Sequence, residues 1–275
     1  MLSEGVRAVV WKESLDRYRN RWIQIASLSL ALFTLLIAYF GGSPAGVVGF
    51  QKFEAILVSL MSLINYFVPL IALLLGAGAI AEERERGTFE IILASVISPW
   101  DVWMGKFLGH SLVLIATVVM GLIPTFILLT VRFGTEVVPS LVVFLLSTVF
   151  LGLSLLALSF LLSVLFGERA RIVISAVFLW LLIVILYDLF LLGTLILTKG
   201  MLSRGLFTVL LLANPTDVFR IINLLSVGEL KAMLGFVTVE LPQYLKLPVL
   251  WAVLLAWIVL PVFGGYALFK RRFEG

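Results

Sequence analysis

The chain has no cysteine and a single histidine, His110, among its 275 residues. The first absence removes disulfides, thiol nucleophiles and thiolate metal sites, and the second removes most histidine-based metal centres. Met61, Met104, Met120, Met201 and Met233 show no pairing at i, i+3 or i+4. No ladder of soft ligands therefore runs through the chain to pass copper. Charge is scarce as well: 13% of residues are Asp, Glu, Lys or Arg, where a soluble domain carries about a quarter. No Gly-x-x-x-x-Gly-Lys-[Ser/Thr] loop is present to cradle a nucleotide phosphate. No pair of carboxylates, metal cluster or activated nucleophile stands out, so no catalytic residue, metal site or cofactor is expected within the chain. Residues 1 to 21 are polar and basic, unlike the short apolar core of a cleavable signal peptide.

What is present is apolar. Hydrophobic residues make up 62% of the chain, and the expected class is an all-α integral membrane protein. Six runs approach or exceed the ~20 residues a bilayer needs, at approximately 22–40, 55–81, 107–131, 140–166, 172–198 and 248–269. The whole of 1–275 reads as a single transmembrane domain. Six crossings put both termini on one side. The segments on that side carry Arg7, Lys12, Arg17, Arg19 and Arg21; Arg84, Arg86 and Lys106; Arg169 and Arg171; and Lys270, Arg271 and Arg272. The two short loops on the other side carry Lys52 and Arg132 alone. This asymmetry predicts cytoplasmic termini. It also accounts for the net charge of +4 without a nucleic-acid partner. The partners it leaves are the lipid bilayer and other proteins.

Three segments depart from plain spans. In the N-terminal segment, Ala8, Trp11, Leu15 and Tyr18 recur at helical spacing, which predicts an amphipathic helix along the membrane face. Between the second and third spans lies Ala81-Glu82-Glu83-Arg84-Glu85-Arg86-Gly87-Thr88-Phe89-Glu90, too charged to stay in lipid. Phe89, Ile92, Leu93 and Val96 then form one stripe of a short helix at approximately 88–97. Thr88 is placed to cap it, and Glu90 suits the positive end of its dipole. The spacing predicts a docking helix held at the cytoplasmic surface by a span on each side. The third departure is the outer segment 199–247, whose apolar pieces are too short to cross. Within it, Asn214-Pro215-Thr216-Asp217 reads as a helix start with Asn214 as cap and Pro215 at the first position. This segment is expected to form re-entrant or interfacial helices.

Two polar residues fall inside spans. Asp188 is a functional candidate by position, with a pair to Arg204 or Lys199 as the plainer reading. Asn65, one turn before Pro69, is expected to bond to a neighbouring helix or to serve the carbonyl that Pro69 frees. Arg220 stands three residues after Asp217, at ion-pair spacing. His110, close to Lys106, reads as structural.

Glu83-Arg84-Glu85-Arg86-Gly87-Thr88-Phe89-Glu90-Ile91-Ile92-Leu93, followed by Ser98 and Gly105-Lys106, resembles the cytoplasmic helix of ABC-2 type transporter membrane subunits. The departures are Val96, where that family often has proline, and Pro99, where it often has arginine. The resemblance implies that this is a coupling helix seated in a separate ATPase subunit, with Glu83, Glu85, Gly87, Thr88, Phe89, Glu90, Ile92 and Leu93 at the contact. ATP and Mg would then bind on that partner. A narrower resemblance covers the whole chain, and is carried by Leu211-Leu212-Ala213-Asn214-Pro215-Thr216-Asp217-Val218-Phe219-Arg220, by Gly105 to His110, by Val68 to Leu75 and by the tail from Leu254. It is to the permease family of nitrous oxide reductase maturation. It implies a homodimer with two ATPase subunits, and a periplasmic copper-binding β-helix protein on the outer face. In that reading Asn214, Pro215, Asp217 and Arg220 meet the outer partner, in copper or sulfur supply. An ABC-2 exporter of lipid, drug or polysaccharide shares the same coupling helix. A secondary transporter is disfavoured, because one intramembrane acid does not make a midplane ion site.

Overall fold

The structure, a computed structural model, describes residues 4–40, 52–80, 87, 98–166, 168–199, 201–226 and 245–274. The helices are α1 (Glu4–Tyr18), α2 (Arg21–Phe40), α3 (Phe53–Ala77), α4 (Pro99–Phe133) and, after a 3-10 turn, α5 (Val138–Leu165). There follow α6 (Arg169–Leu181), a π-helical turn (Leu182–Leu186), α7 (Tyr187–Leu197), α8 (Arg204–Leu212), α9 (Pro215–Ser226) and α10 (Leu247–Glu274). No strand occurs among the described residues. Lipid offers backbone groups no hydrogen bonds, so an apolar chain inside it closes them within helices.

Six stretches are long and apolar enough to cross: Arg21–Phe40, Phe53–Ala77, Pro99–Phe133, Thr135–Leu165, Arg169–Leu197 and Leu247–Arg271. The architecture is the all-α, six-span membrane protein that the sequence predicts. The largest difference in bounds is at the third span, whose helix begins at Pro99 rather than 107. Ser98 caps it, accepting from the Asp101 amide at 3.1 Å, and Pro99 occupies the first turn, where a missing N–H costs nothing. At about 1.5 Å per residue, its 35 residues make a rod of roughly 52 Å, well beyond the ~30 Å hydrocarbon core.

Helices α3 and α5 form the centre. Gly76 lets them touch: a Cβ there would lie 2.7 Å from that of Ser159, whose hydroxyl donates to the Leu73 carbonyl at 2.5 Å. Along α4, small residues recur every fourth position at Gly105, Gly109, Thr117, Gly121 and Thr125, a groove on one face. Helix α1 fills its first part. Val9 and Glu13 stand 2.6 and 2.7 Å from where a Cβ would be at Gly105 and Gly109. Helix α2 fills the rest, with Leu30 in the Gly121 notch and Thr34 donating to the Gly121 carbonyl at 3.1 Å. Thr125 in turn donates to the Thr34 hydroxyl at 2.8 Å.

Helix α1 therefore presents Val6 and Glu13 inward and leaves Trp11, Leu15 and Tyr18 exposed. The predicted apolar stripe faces out, and a second face, invisible to that pattern, does the packing. Trp103 near the start of α4 packs on Phe269 of α10, with ring centroids 5.4 Å apart. Both chain ends thus meet the same end of α4.

Candidate functional site

Two places in the bundle gather polar groups where lipid-facing helices would have none. The first is the α8–α9 pair, which is bent by 107° at its break and is re-entrant in form. Asn214 sits at the vertex and caps α9 as predicted. Its Oδ1 accepts from the Thr216 amide at 3.0 Å and the Thr216 hydroxyl at 2.9 Å. Its Nδ2 donates to the Ile183 carbonyl at 2.9 Å. That carbonyl lies in the π-helical turn, where i→i+5 bonding disturbs the regular ladder, midway between Arg169 and Leu197. The vertex therefore lies at mid-depth of the fifth span. The last carbonyls of α8 are also taken up: Tyr187 Oη donates to Leu210 at 2.6 Å and Trp257 Nε1 to Leu212 at 3.1 Å. Helix α9 is fixed from its other side by Asn223, whose Nδ2 donates to the Ser147 hydroxyl of α5 at 2.8 Å. Every polar group that the break exposes finds a partner on a span, which satisfies the demand of a buried helix end.

The charged core of this site is Asp188, Asp217 and Arg220. Arg220 grips Asp188 with both nitrogens, at 3.0 and 2.7 Å, the fork-to-fork geometry of a strong pair. The same guanidinium reaches Asp217 Oδ1 at 3.2 Å, the i+3 contact that the spacing predicts. Asp217 Oδ2 is buried without a partner. Asp188 thus joins Arg220 rather than Lys199 or Arg204, because the π turn and the hairpin bring α7 and α9 together. The placement differs from an outward docking patch. Asn214, Pro215 and Asp217 are buried, and Arg220 is 31% exposed. Four polar or turn-forming residues inside a bundle have to be satisfied by it, so the folded chain turns them inward.

The second place is the α1–α4 junction. Lys106 Nζ lies 2.8 Å from Glu13 Oε1, and their side chains are 5% and 8% exposed. His110 is fully buried one turn on, with Nδ1 2.8 Å from the Lys106 carbonyl and its ring edge-on to Phe160. An imidazole nitrogen so placed must carry the hydrogen and donate it. Sequence reasoning placed His110 as structural and passed over Glu13. The signal for Glu13 was there in Val6, Val9, Val10 and Glu13 at i, i+3, i+4 and i+7, facing Gly105 and Gly109.

Asn65 differs from expectation. It is fully buried, and among the described residues neither its Oδ1 nor its Nδ2 has a partner. Of the predicted ATPase-docking residues, Glu83, Glu85, Thr88, Phe89, Glu90, Ile92 and Leu93 lie outside the described residues. Gly87 is described: it is exposed, with φ at +65°, a turn conformation that favours glycine. Among the described residues no group of three or more His, Asp and Glu side chains gathers to hold a metal ion.

A six-span bundle with a re-entrant hairpin between its last two spans and a Ser-capped helix leading in from a charged loop is the form of a transporter's membrane subunit. The chain belongs to the ABC-2 family: the profile described as "ABC-2 family transporter protein" matches residues 7–272. It is similar to a protein of Stutzerimonas stutzeri named "Probable ABC transporter permease protein NosY", at 36% identity over 266 residues, 95% of this chain and 96% of that protein. A protein of the same name from Pseudomonas aeruginosa is 37% identical over 273 residues, 96% of this chain and 98% of its own length. The chain is therefore an ABC transporter permease subunit, a multi-pass protein of the inner membrane. Permeases of this kind generally pair with a cytoplasmic ATPase and act as dimers.

Proposed function

We propose that this subunit couples ATP hydrolysis on a separate cytoplasmic ATPase to motion at its outer end, where it acts on an extracytoplasmic partner. The process is copper or sulfur supply to the metal site of nitrous oxide reductase. In this reading both termini and residues 81–106 are cytoplasmic. Glu83, Glu85, Gly87, Thr88, Phe89, Glu90, Ile92 and Leu93 meet the ATPase. The assembly holds two copies of this chain and two ATPase subunits. Transport of a solute and transmission of force are both served by such a coupling, and the lack of soft ligands along the spans favours force. Asn214, Asp188, Asp217 and Arg220 hold the hairpin that faces the outer partner, instead of touching that partner themselves.

The observation that supports this best is continuity. Helix α4 starts at Ser98, directly after the docking segment, and both α1 and α2 lie in its groove. A push at one end of so long and so well-packed a rod reaches the far end of the span. The test is assembly and turnover. The purified chain alone hydrolyses no ATP; with its ATPase it forms a complex whose native mass fits two of each. Outer copper-binding protein is retained by that complex and alters its ATP turnover. If turnover responds instead to a lipid, drug or polysaccharide with no outer protein present, the exporter reading replaces this one.

A further inference from the structure

A buried ion pair is poor evidence of stability, because desolvation offsets most of the attraction, and its best-attested role is to fix register. The Glu13–Lys106 pair stands at a contact that otherwise has two equivalent seats. Gly105 and Gly109 are notches one turn apart on α4, and they receive Val9 and Glu13, four residues apart on α1. Were α1 to slip one turn along α4, Val9 would enter the Gly109 notch and Glu13 would lie over Val113, which is 3% exposed and apolar. The slip would break the 2.8 Å bridge and leave Glu13 and Lys106 buried apart, an arrangement that costs about 3–5 kcal/mol. The apolar contacts alone carry no such penalty. The slip direction is the long axis of α4, along which a push delivered ahead of Ser98 would act.

We propose that Glu13 and Lys106 are positioning residues that lock α1 in register on α4, so that the N-terminal helix moves with the third span as one lever. This rests on the ATPase-docking reading above. His110 supports the joint from beneath by holding the Lys106 carbonyl, which keeps the backbone at the bridge helical. The two helices then shift together during the ATPase cycle and carry α2, seated further along the same groove, with them.

The test uses the complex of the full chain with its ATPase in lipid nanodiscs. Two quantities are read: the rate of ATP hydrolysis, and the ATP-dependent change in hydrogen exchange of residues 204–226. E13Q is expected to assemble and hydrolyse ATP as wild type does, while the ATP-dependent exchange change falls by roughly fivefold or more, the range of a 1–3 kcal/mol coupling. The charge swap E13K/K106E restores it. E13M/K106M strands no charge and so folds even where E13Q does not; it too is expected to hydrolyse ATP and lose the exchange change. Because the chain has no native cysteine, E13C/K106C bridged by a short thiol-reactive linker supplies a covalent joint, and bridging is expected to restore the response. A folded E13Q or E13M/K106M with the full ATP-dependent change overturns the proposal, as does a bridged pair that abolishes the change. A wild-type chain that binds no ATPase overturns the docking reading and this inference with it, whereas failure of the joint alone leaves ATPase binding intact.

Discussion

The Asp188–Arg220–Asp217 cluster makes an asymmetric prediction. Arg220 serves two carboxylates, at 2.7 Å and 3.2 Å. Removing Asp188 by D188N leaves a one-to-one pair between Arg220 and Asp217, and costs about one net hydrogen bond, ~1 kcal/mol. Removing the guanidinium by R220M leaves two carboxylates close together with no cation between them. Asp217 is the worse placed, since its side chain is 6% exposed and its Oδ2 has no partner. Complete burial would put the loss at the upper part of the ~3–5 kcal/mol range for a stranded charge. Asp188 and Arg220 are 33% and 31% exposed, so the lower end, ~3 kcal/mol, applies. At roughly 2–4 °C per kcal/mol for a chain of this size, R220M should lower the unfolding midpoint in detergent by about three times as much as D188N. Scanning fluorimetry with tryptophan emission reads both. The triple variant D188N/D217N/R220M, which strands nothing, should recover most of the R220M loss. If D188N is as damaging as R220M, or the triple is worse than R220M, then Arg220 is not the hub of this cluster.

Asn65 buries two polar atoms without partners among the described residues, each worth about 1–3 kcal/mol when left unmade, so N65L should raise the unfolding midpoint; a clear fall would show that the side chain has a partner in the assembled protein. G121A places a methyl 2.6 Å from Leu30 Cδ2, and overpacking of that kind costs about 1–3 kcal/mol; G193A meets nothing within 4 Å and should be neutral or slightly stabilising, so equal midpoints for the two would argue against α2 lying in the α4 groove.

How far the sequence alone reached depended on range. The six spans were legible because length and apolarity are local properties, and the Asn214 cap was legible because Asn-Pro-Thr-Asp encodes its own geometry. The outer segment could be read as non-spanning from the shortness of its apolar pieces, and the observed 107° bend follows from the same shortness. The π-helical turn was not legible: Leu182 to Leu186 are all apolar and carry no mark that their ladder shifts. That shift offers the Ile183 carbonyl to Asn214, and the same stretch leads into Asp188, so the inward placement of the hairpin stayed hidden too. Glu13 was missed for a related reason. The stripe of Trp11, Leu15 and Tyr18 is the more hydrophobic face of α1, yet it points outward, because glycines nearly a hundred residues away at Gly105 and Gly109 admit the other face. Asp188 was flagged as a residue out of place, but its partner depended on a tertiary contact thirty-two positions along the chain.

The claim on which everything else rests is that residues 83–93 receive the ATPase. The measurement that addresses it is co-purification of ATPase with the triple charge reversal E83K/E85K/E90K, alongside the ATP-dependent exchange of residues 204–226. The account predicts a folded permease that retains the ATPase poorly, by about tenfold or more for a coupling near 1.4 kcal/mol, and shows no response to ATP at the hairpin. A triple-reversed chain that binds its ATPase at wild-type stoichiometry and still moves the hairpin on ATP addition would contradict it.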